Sequence, residues 1–194
     1  DPAKLSGRPL DFLLRLGYAR EIYAINQNRR EVQGKKSYPS LLEVPGPVDL
    51  VIVAVPAPAV AQALKDCAEK GAIAAIVFAS GFAEVKDENG RQLQEEITSI
   101  ARMTGLRVLG PNCLGTFAVP NAAFATFSSA FDELSDVCDD PIAIVSQSGA
   151  VGTYLYTAMQ GRGVGTRYYA NTGNESDVGV AELLEAMAES PDVS

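Results

Sequence analysis

Short runs of valine, isoleucine and alanine alternate along this chain with segments whose apolar residues recur every three or four positions. That alternation predicts a parallel sheet whose strands are joined by crossover helices. Strands are predicted at residues 21–26, 48–55, 74–79 and 107–109. Between them Val60, Leu64, Cys67 and Ala68, and then Leu93, Ile97, Ile100 and Ala101, each mark the buried stripe of a helix. An earlier helix is expected from Arg8, with Pro9 in its first turn and Gly17 ending it. A βαβ arrangement wants a strand ahead of that helix, so a first strand and its loop are expected to precede Asp1 or to be only partly included.

The pattern fades after Gly115. The next stretch carries Pro120, four phenylalanines (Phe117, Phe124, Phe127 and Phe131) and five acidic residues between positions 132 and 140. It reads as a linker packed on the surface. A second unit then opens with a strand at 141–145, a turn at 146–149, a helix at 150–160 and a strand at 166–170. A last helix at 178–189 carries Val180, Leu183, Leu184 and Met187 on one face. The expected division is a first α/β domain over 1–115, a linker over 116–140 and the start of a second α/β domain over 141–194.

Composition narrows the class. Hydrophobic residues make up 47% of the 194 and charged residues 21%, which suits a globular core and not a disordered chain. No apolar run reaches the roughly 18 residues that cross a bilayer, so a soluble protein is expected. The chain opens at Asp1 without a basic-then-apolar leader. Cys67, Cys113 and Cys138 are far apart and there is no histidine, so a zinc site is not expected and a reducing cytoplasm fits best. A net charge of −8 argues against a nucleic-acid surface. The charge is uneven, however: residues 1–40 hold eight of the 16 basic residues against four of the 24 acids, a net +4 that leaves −12 for the rest. Clustered cations raise the local concentration of a small polyanion, although a solvated helix face explains them as well.

The candidate chemistry lies in the loops. Lys4, Leu5, Ser6 and Gly7 run into a helix start, where free N–H groups and the helix dipole suit a phosphate, or where Ser-Gly is simply a cap. The strands end on Asn26-Gln27-Asn28-Arg29, Val55-Pro56-Ala57-Pro58, Ala79-Ser80-Gly81-Phe82 and Gly110-Pro111-Asn112-Cys113. Each alone is an ordinary turn. Together they lie where open parallel sheets bind ligands, beyond the carboxyl ends of the strands, and point to a nucleotide-like molecule. Cys113 has no histidine to serve as its base, so a wall residue is expected there and not a nucleophile. Ser146-Gln147-Ser148-Gly149-Ala150 closes a strand and opens a helix, a second anion cradle. It lacks the first glycine of a hydrolase GxSxG elbow. In Asn171-Thr172-Gly173-Asn174-Glu175-Ser176-Asp177, Asp177 stands where a helix N-cap is expected, and Glu175 has less structural reason to be present.

These segments in this order resemble the NDP-forming acyl-CoA synthetases, the superfamily of the succinyl-CoA synthetase alpha subunit. The strings SGRPL, YPSL, VDLVIVAVPA, ASGFAE, GPNCLG, SQSGAVG and NTGNESDV carry the likeness through nearly the whole chain. The resemblance implies a Rossmann-like parallel-sheet domain that binds coenzyme A, followed by the start of a flavodoxin-like α/β domain. It implies that Lys4, Leu5, Ser6, Gly7 and Arg29 lie against CoA phosphates, and that Val55, Pro56, Ala57, Ser80, Gly81 and Phe82 hold its adenosine and pantetheine portions. Gly110, Pro111, Asn112 and Cys113 are implied to face the reacting thiol and acyl group. Ser148, Gly149 and Ala150 resemble the cradle of a phosphohistidine, and Glu175 the carboxylate that orients that histidine.

The implied reaction makes acyl-CoA from a small carboxylic acid, CoA and ATP through phosphohistidine and acyl-phosphate intermediates. ATP, ADP and Mg2+ are implied only for an ATP-grasp domain or beta subunit, and an oligomer for the intact enzyme. Without the histidine and the ATP-grasp part, this chain alone is expected to be inactive. A second reading is a non-catalytic CoA-sensing module of a fused acetyltransferase. An NAD-dependent dehydrogenase is disfavoured because no GxGxxG follows a first strand and residues 26–30 are basic where ribose recognition wants an acid.

Overall fold

The computed structural model describes residues 4–132 and 137–193. Helix α1 (Arg8–Arg15) has Pro9 in its opening turn and Gly17 just beyond its end at φ 89°. Strand β1 (Ala24–Ile25) pairs in parallel with β3 (Lys35–Tyr38), and β2 (Glu31–Val32) folds back antiparallel onto β3. The predicted strand at 21–26 is thus shorter than expected. The hairpin beside it gave little apolar signal, because Glu31, Lys35 and Lys36 break any alternation.

Strands β4 (Leu50–Val53), β5 (Ala74–Val77) and β6 (Arg107–Leu109) form a second sheet, parallel throughout and in that order. Helices α2 (Ala57–Lys70) and α3 (Glu88–Thr104) are its crossovers. The period of two along β5 explains the layering. Ala75 and Val77 join Val60, Leu64 and Cys67 of α2 and Ile97, Ile100 and Ala101 of α3 in one core. Ile76, between them, turns to the opposite face and meets Leu109, Cys113 and Ala125, with Val178 and Leu183 packed alongside. The chain is α/β as expected, with a Rossmann-like parallel sheet leading into a flavodoxin-like unit.

The stretch 116–140 requires a correction. Strands β7 (Gly115–Ala118) and β8 (Ala123–Thr126) form a hairpin, and the sheet continues through β10 (Tyr168–Asn171) to β9 (Ala143–Ser146) in the order β8-β7-β10-β9. The pair β9–β10 is parallel, connected through α4 (Gly149–Gln160), whereas β10 runs antiparallel to β7. Phe124, Phe117, Tyr169 and Ile144 sit opposite one another across the four strands. The Phe117 ring stacks on Phe124 and Tyr169 at 5.2 and 5.3 Å between centroids, with Phe131 and Tyr156 edge-on. Three of the four phenylalanines assigned to a surface linker are therefore core, at 1–2% exposure. Positions 133–136 of that stretch lie outside the described residues.

Helix α1 also packs against β8: Phe12 enters the aromatic core, Arg8 donates to the Phe127 carbonyl and pairs with Asp132, and Arg15 donates to the Phe131 carbonyl. Helix α5 (Val180–Ala188) is the last helix among the described residues. Among the described residues no helix is long and apolar enough to cross a membrane.

Candidate functional site

The end of β6 and the end of β10 approach one another, and their loops are stitched together through the backbone. Asn174 N–H donates to the Pro111 carbonyl at 2.9 Å, Ser176 N–H to Gly110 at 3.0 Å and Val178 N–H to Val108 at 3.1 Å. The buried Ser176 hydroxyl adds a second bond to Gly110 at 2.9 Å. Gly173, at φ 61°, permits the approach: a Cβ there would collide with the carbonyl oxygens of Pro111 and Asn112. GPNC and NTGNES, 60 residues apart in sequence, are one structure.

A cleft of about 570 Å3 opens over this seam, lined by Ala83, Gln94, Asn112 and Leu114 from one side and by Gln147, Ser148, Gly149, Ala150, Asn171, Gly173 and Asn174 from the other. Ser148 is the N-cap of α4, its hydroxyl accepting from Val151 N–H at 3.4 Å. The leading N–H groups of Gly149 and Ala150 have no carbonyl within their own helix to meet, so this wall presents donors and the positive end of the helix dipole. Leu114 packs so closely on Gly149 that a Cβ on the glycine would clash with it. Asn171, fully buried, sets the turn: its amide donates to the carbonyls of Ser146 and Gln147 and its oxygen accepts from Leu114 N–H. Ser148, Gly149 and Ala150, expected as a phosphate cradle, stand together at the start of α4 and line the cleft.

The contact with the start of the last helix that was expected of Asp177 is made by Glu175. Glu175 Oε1 accepts from the Thr172 hydroxyl at 2.8 Å and from Val180 N–H, the first residue of α5, at 3.2 Å. Its neighbours Gly173 and Asn174 line the cleft, while its own carboxylate is turned to these two donors. Its backbone is left-handed at φ 56°, which costs a non-glycine residue on the order of 1–2 kcal/mol. Asp177, expected to cap the helix, instead accepts from Val108 N–H and the Arg107 guanidinium on β6.

The residues expected around CoA divide into exposed and buried. Val55 and Pro56 are exposed beyond the end of β4, and Ser80 is exposed beyond β5. Gly81 lies 3.6 Å, measured from a built Cβ, from the Ala57 side chain, so these two loops adjoin. Phe82, by contrast, is fully buried in the first core, and its ring is closed to any ligand at this surface. Cys113 is likewise inward, 2% exposed, its thiol donating to the Val77 carbonyl at 3.3 Å. Burial pushes that thiol up to about 12, leaving no thiolate near neutral pH. Of Gly110, Pro111, Asn112 and Cys113, Asn112 is the one that lines the cleft.

Lys4, Leu5 and Ser6 are exposed, Gly7 is buried, and Arg29 is exposed. The Gly7 and Arg8 N–H groups already donate to the Lys4 carbonyl. The Gly7 carbonyl is held by Gln33 from the β2–β3 turn at 2.8 Å, an anchor the sequence did not suggest. Glu84 and Gln94 were also missed, as was a role for Asn174. They lie on one side or the other of the cleft and bond across it, and only the glutamate of ASGFAE gave any hint, as a charge placed close to a glycine turn.

The family described as CoA binding domain matches residues 1–118, and that described as succinyl-CoA ligase like flavodoxin domain matches residues 139–194. The chain belongs to the CoA-binding-domain family, in the arrangement of the NDP-forming acyl-CoA synthetases. Among particular proteins, it is 36% identical over 172 residues to the alpha subunit of ADP-forming acetate–CoA ligase II of Pyrococcus furiosus, covering 87% of this chain and 35% of that subunit. It is 35% identical over 188 residues to the alpha subunit of enzyme I of the same organism, covering 95% of this chain and 39% of that one. The dinucleotide forming acetyl-coenzyme A synthetase 1 of Ca. Korarchaeum cryptofilum, solved with phosphate and ADP, superposes with a TM-score of 0.91 at 34% identity, over 100% of this chain and 40% of that one. The chain thus spans little more than a third of the curated subunits it matches.

Proposed function

We propose that this chain is the CoA-binding part of an ADP-forming acyl-CoA ligase, with the nucleotide portion of CoA on the loops after β1, β4 and β5 and the reacting end directed to the cleft. The observation that carries this reading is the convergence of the two halves: the donor-lined start of α4 and the strand-end loops of the parallel sheet open onto one cleft. The ligand fits the residues present. Gly81 allows close approach beside Val55, Pro56 and Ala57, and the exposed Lys4 and Arg29 supply cations for phosphates.

In the fuller reading, a carboxylic acid, CoA and ATP yield acyl-CoA, with a phosphohistidine and an acyl phosphate between them. Gly149 and Ala150 hold the phosphoryl oxygens through backbone N–H groups, and Asn112 meets the acyl end. The histidine and the ATP-grasp part with its Mg2+ and nucleotide belong to the rest of such an enzyme, which is an oligomer when intact. With no imidazole of its own, the chain alone is expected to bind CoA without turning over. Titration calorimetry decides the central point: the chain binds CoA and ignores NAD, and the opposite result defeats the proposal.

A further inference from the structure

Asn174 stands at the seam with every hydrogen-bonding group engaged. Its amide donates to Glu84 Oε2 at 2.6 Å and to Gln94 Oε1 at 2.9 Å. Its side-chain oxygen accepts from Asn112 at 3.2 Å, its N–H reaches Pro111, and its carbonyl accepts from Gln94 Nε2 at 3.5 Å. Glu84 in turn holds the β5 turn: Oε1 accepts from Gly81 N–H at 2.6 Å and Oε2 from Phe82 N–H at 3.1 Å. Gln94, from α3, accepts from Ala83 N–H at 3.2 Å. Burial raises the Glu84 carboxyl, but the bonds from Asn174 and from the turn outweigh it and leave the group below its ordinary range, ionised near neutral pH.

Such a carboxylate, accepting three N–H donors while half-buried, is more than a loop closure. Gly81 at φ 101° is a turn with no side chain of its own to brace it. Its geometry is set by Glu84, and Glu84 is set by a residue of the second half.

We propose that Glu84, Asn174 and Gln94 form a clasp that positions the 80–82 turn against the cleft, so that a CoA lying on that turn reaches the cradle at the start of α4. The three act as positioning residues, through backbone they hold and not through the ligand, and the inference rests on the CoA reading above.

Calorimetry with CoA tests it, with circular dichroism confirming the fold of each variant. Glu84→Gln places a donor where Oε2 now accepts, and CoA affinity is expected to fall about tenfold. Asn174→Asp sets carboxylate against carboxylate and costs at least as much. Combining the two substitutions restores a donor–acceptor pair of reversed polarity between 84 and 174 while Phe82 N–H and Gln94 Oε1 stay mismatched, so it is expected to recover part of the affinity, whereas independent structural damage would add. Gln94→Ala, at an accessible position on a helix, keeps the test open if either variant misfolds; it is expected to weaken CoA about threefold. A wild-type chain that ignores CoA removes the functional reading beneath this one. A wild type that binds CoA, matched by folded Glu84→Gln and Gln94→Ala variants, overturns the clasp alone.

Discussion

Gly173→Ala attacks the seam directly. The backbone there is left-handed at φ 61°, so an alanine Cβ costs about 1–2 kcal/mol before it meets anything. It then meets the carbonyl oxygens of Pro111 and Asn112, both backbone atoms with little freedom to withdraw. Relief requires the two loops to part, which stretches the bonds from Asn174 to Pro111 and from Ser176 to Gly110, each contributing about 1 kcal/mol. The whole effect is about 3 kcal/mol. Gly163→Ala is the matched control: φ is 74° and nothing lies within 4 Å of the added Cβ, so it bears the conformational cost alone. For a chain of this size thermal midpoints should fall by about 9 °C at Gly173 and about 4 °C at Gly163. Differential scanning calorimetry gives both numbers in one series. Equal shifts would mean that the steric contact between the loops does not exist in solution.

Phe117→Ala empties the centre of an aromatic cluster at 1% exposure and should lower stability by about 4 kcal/mol in urea unfolding, whereas Phe127→Ala, at the half-buried position, should cost markedly less. A thiol reagent at pH 8 should titrate Cys138 quickly in the native chain and Cys67 and Cys113 only after unfolding. Both buried thiols are pushed up to about 12 by burial, so the unfolded state releases protons first; stability is unaffected by them below pH 9 and falls as pH rises beyond it, which denaturation midpoints at pH 8 and 10 will register. Arg29→Ala should weaken CoA up to about fivefold at low ionic strength and less at high salt, with dephospho-CoA indifferent to the change if the 3′-phosphate is the partner.

The parallel sheet and its helices were legible because burial imposes a period. Val60, Leu64 and Cys67 repeat on α2, Ile97, Ile100 and Ala101 repeat on α3, and those stripes are the ones buried. The β7–β8 hairpin was not legible. Its strands are four residues each, built largely from alanine, threonine and phenylalanine, and Pro120 with the acidic residues beyond Asp132 gave the stretch a linker's composition. What identifies it is pairing with β10, whose residues lie some 50 positions away, and no local pattern carries that information. The site followed the same rule. Ser148 and Gly149 were readable because a strand–turn–helix junction is local. Glu84 and Gln94 were not, since their partner Asn174 is 90 and 80 residues distant. Phe82 and Cys113 were assigned to the ligand by their motifs, and the structure spends both side chains on the core behind the loops.

The two proposed anion sites differ in kind, and the difference follows from what each must do. Lys4 and Arg29 near the nucleotide loops are full charges on exposed, flexible side chains, suited to drawing in a polyanion from solution. The cleft contains no charged side chain among its lining residues: it offers the carboxamides of Asn112 and Gln147 and the N–H groups at the start of α4. Neutral donors on a wall braced by the internal bonds of Asn171 and Asn174 stabilise negative charge without the deep trap that a buried cation makes, and with little reorganisation when the charge moves. On the proposed function, a group in transit between an acid, a phosphate and a thiol needs that kind of surface, because binding its ground states tightly would slow its passage. Ionic strength separates the two designs: it should loosen the hold on the nucleotide end, where exposed cations act, far more than the hold on an anion in the cleft, where the donors carry no net charge to screen.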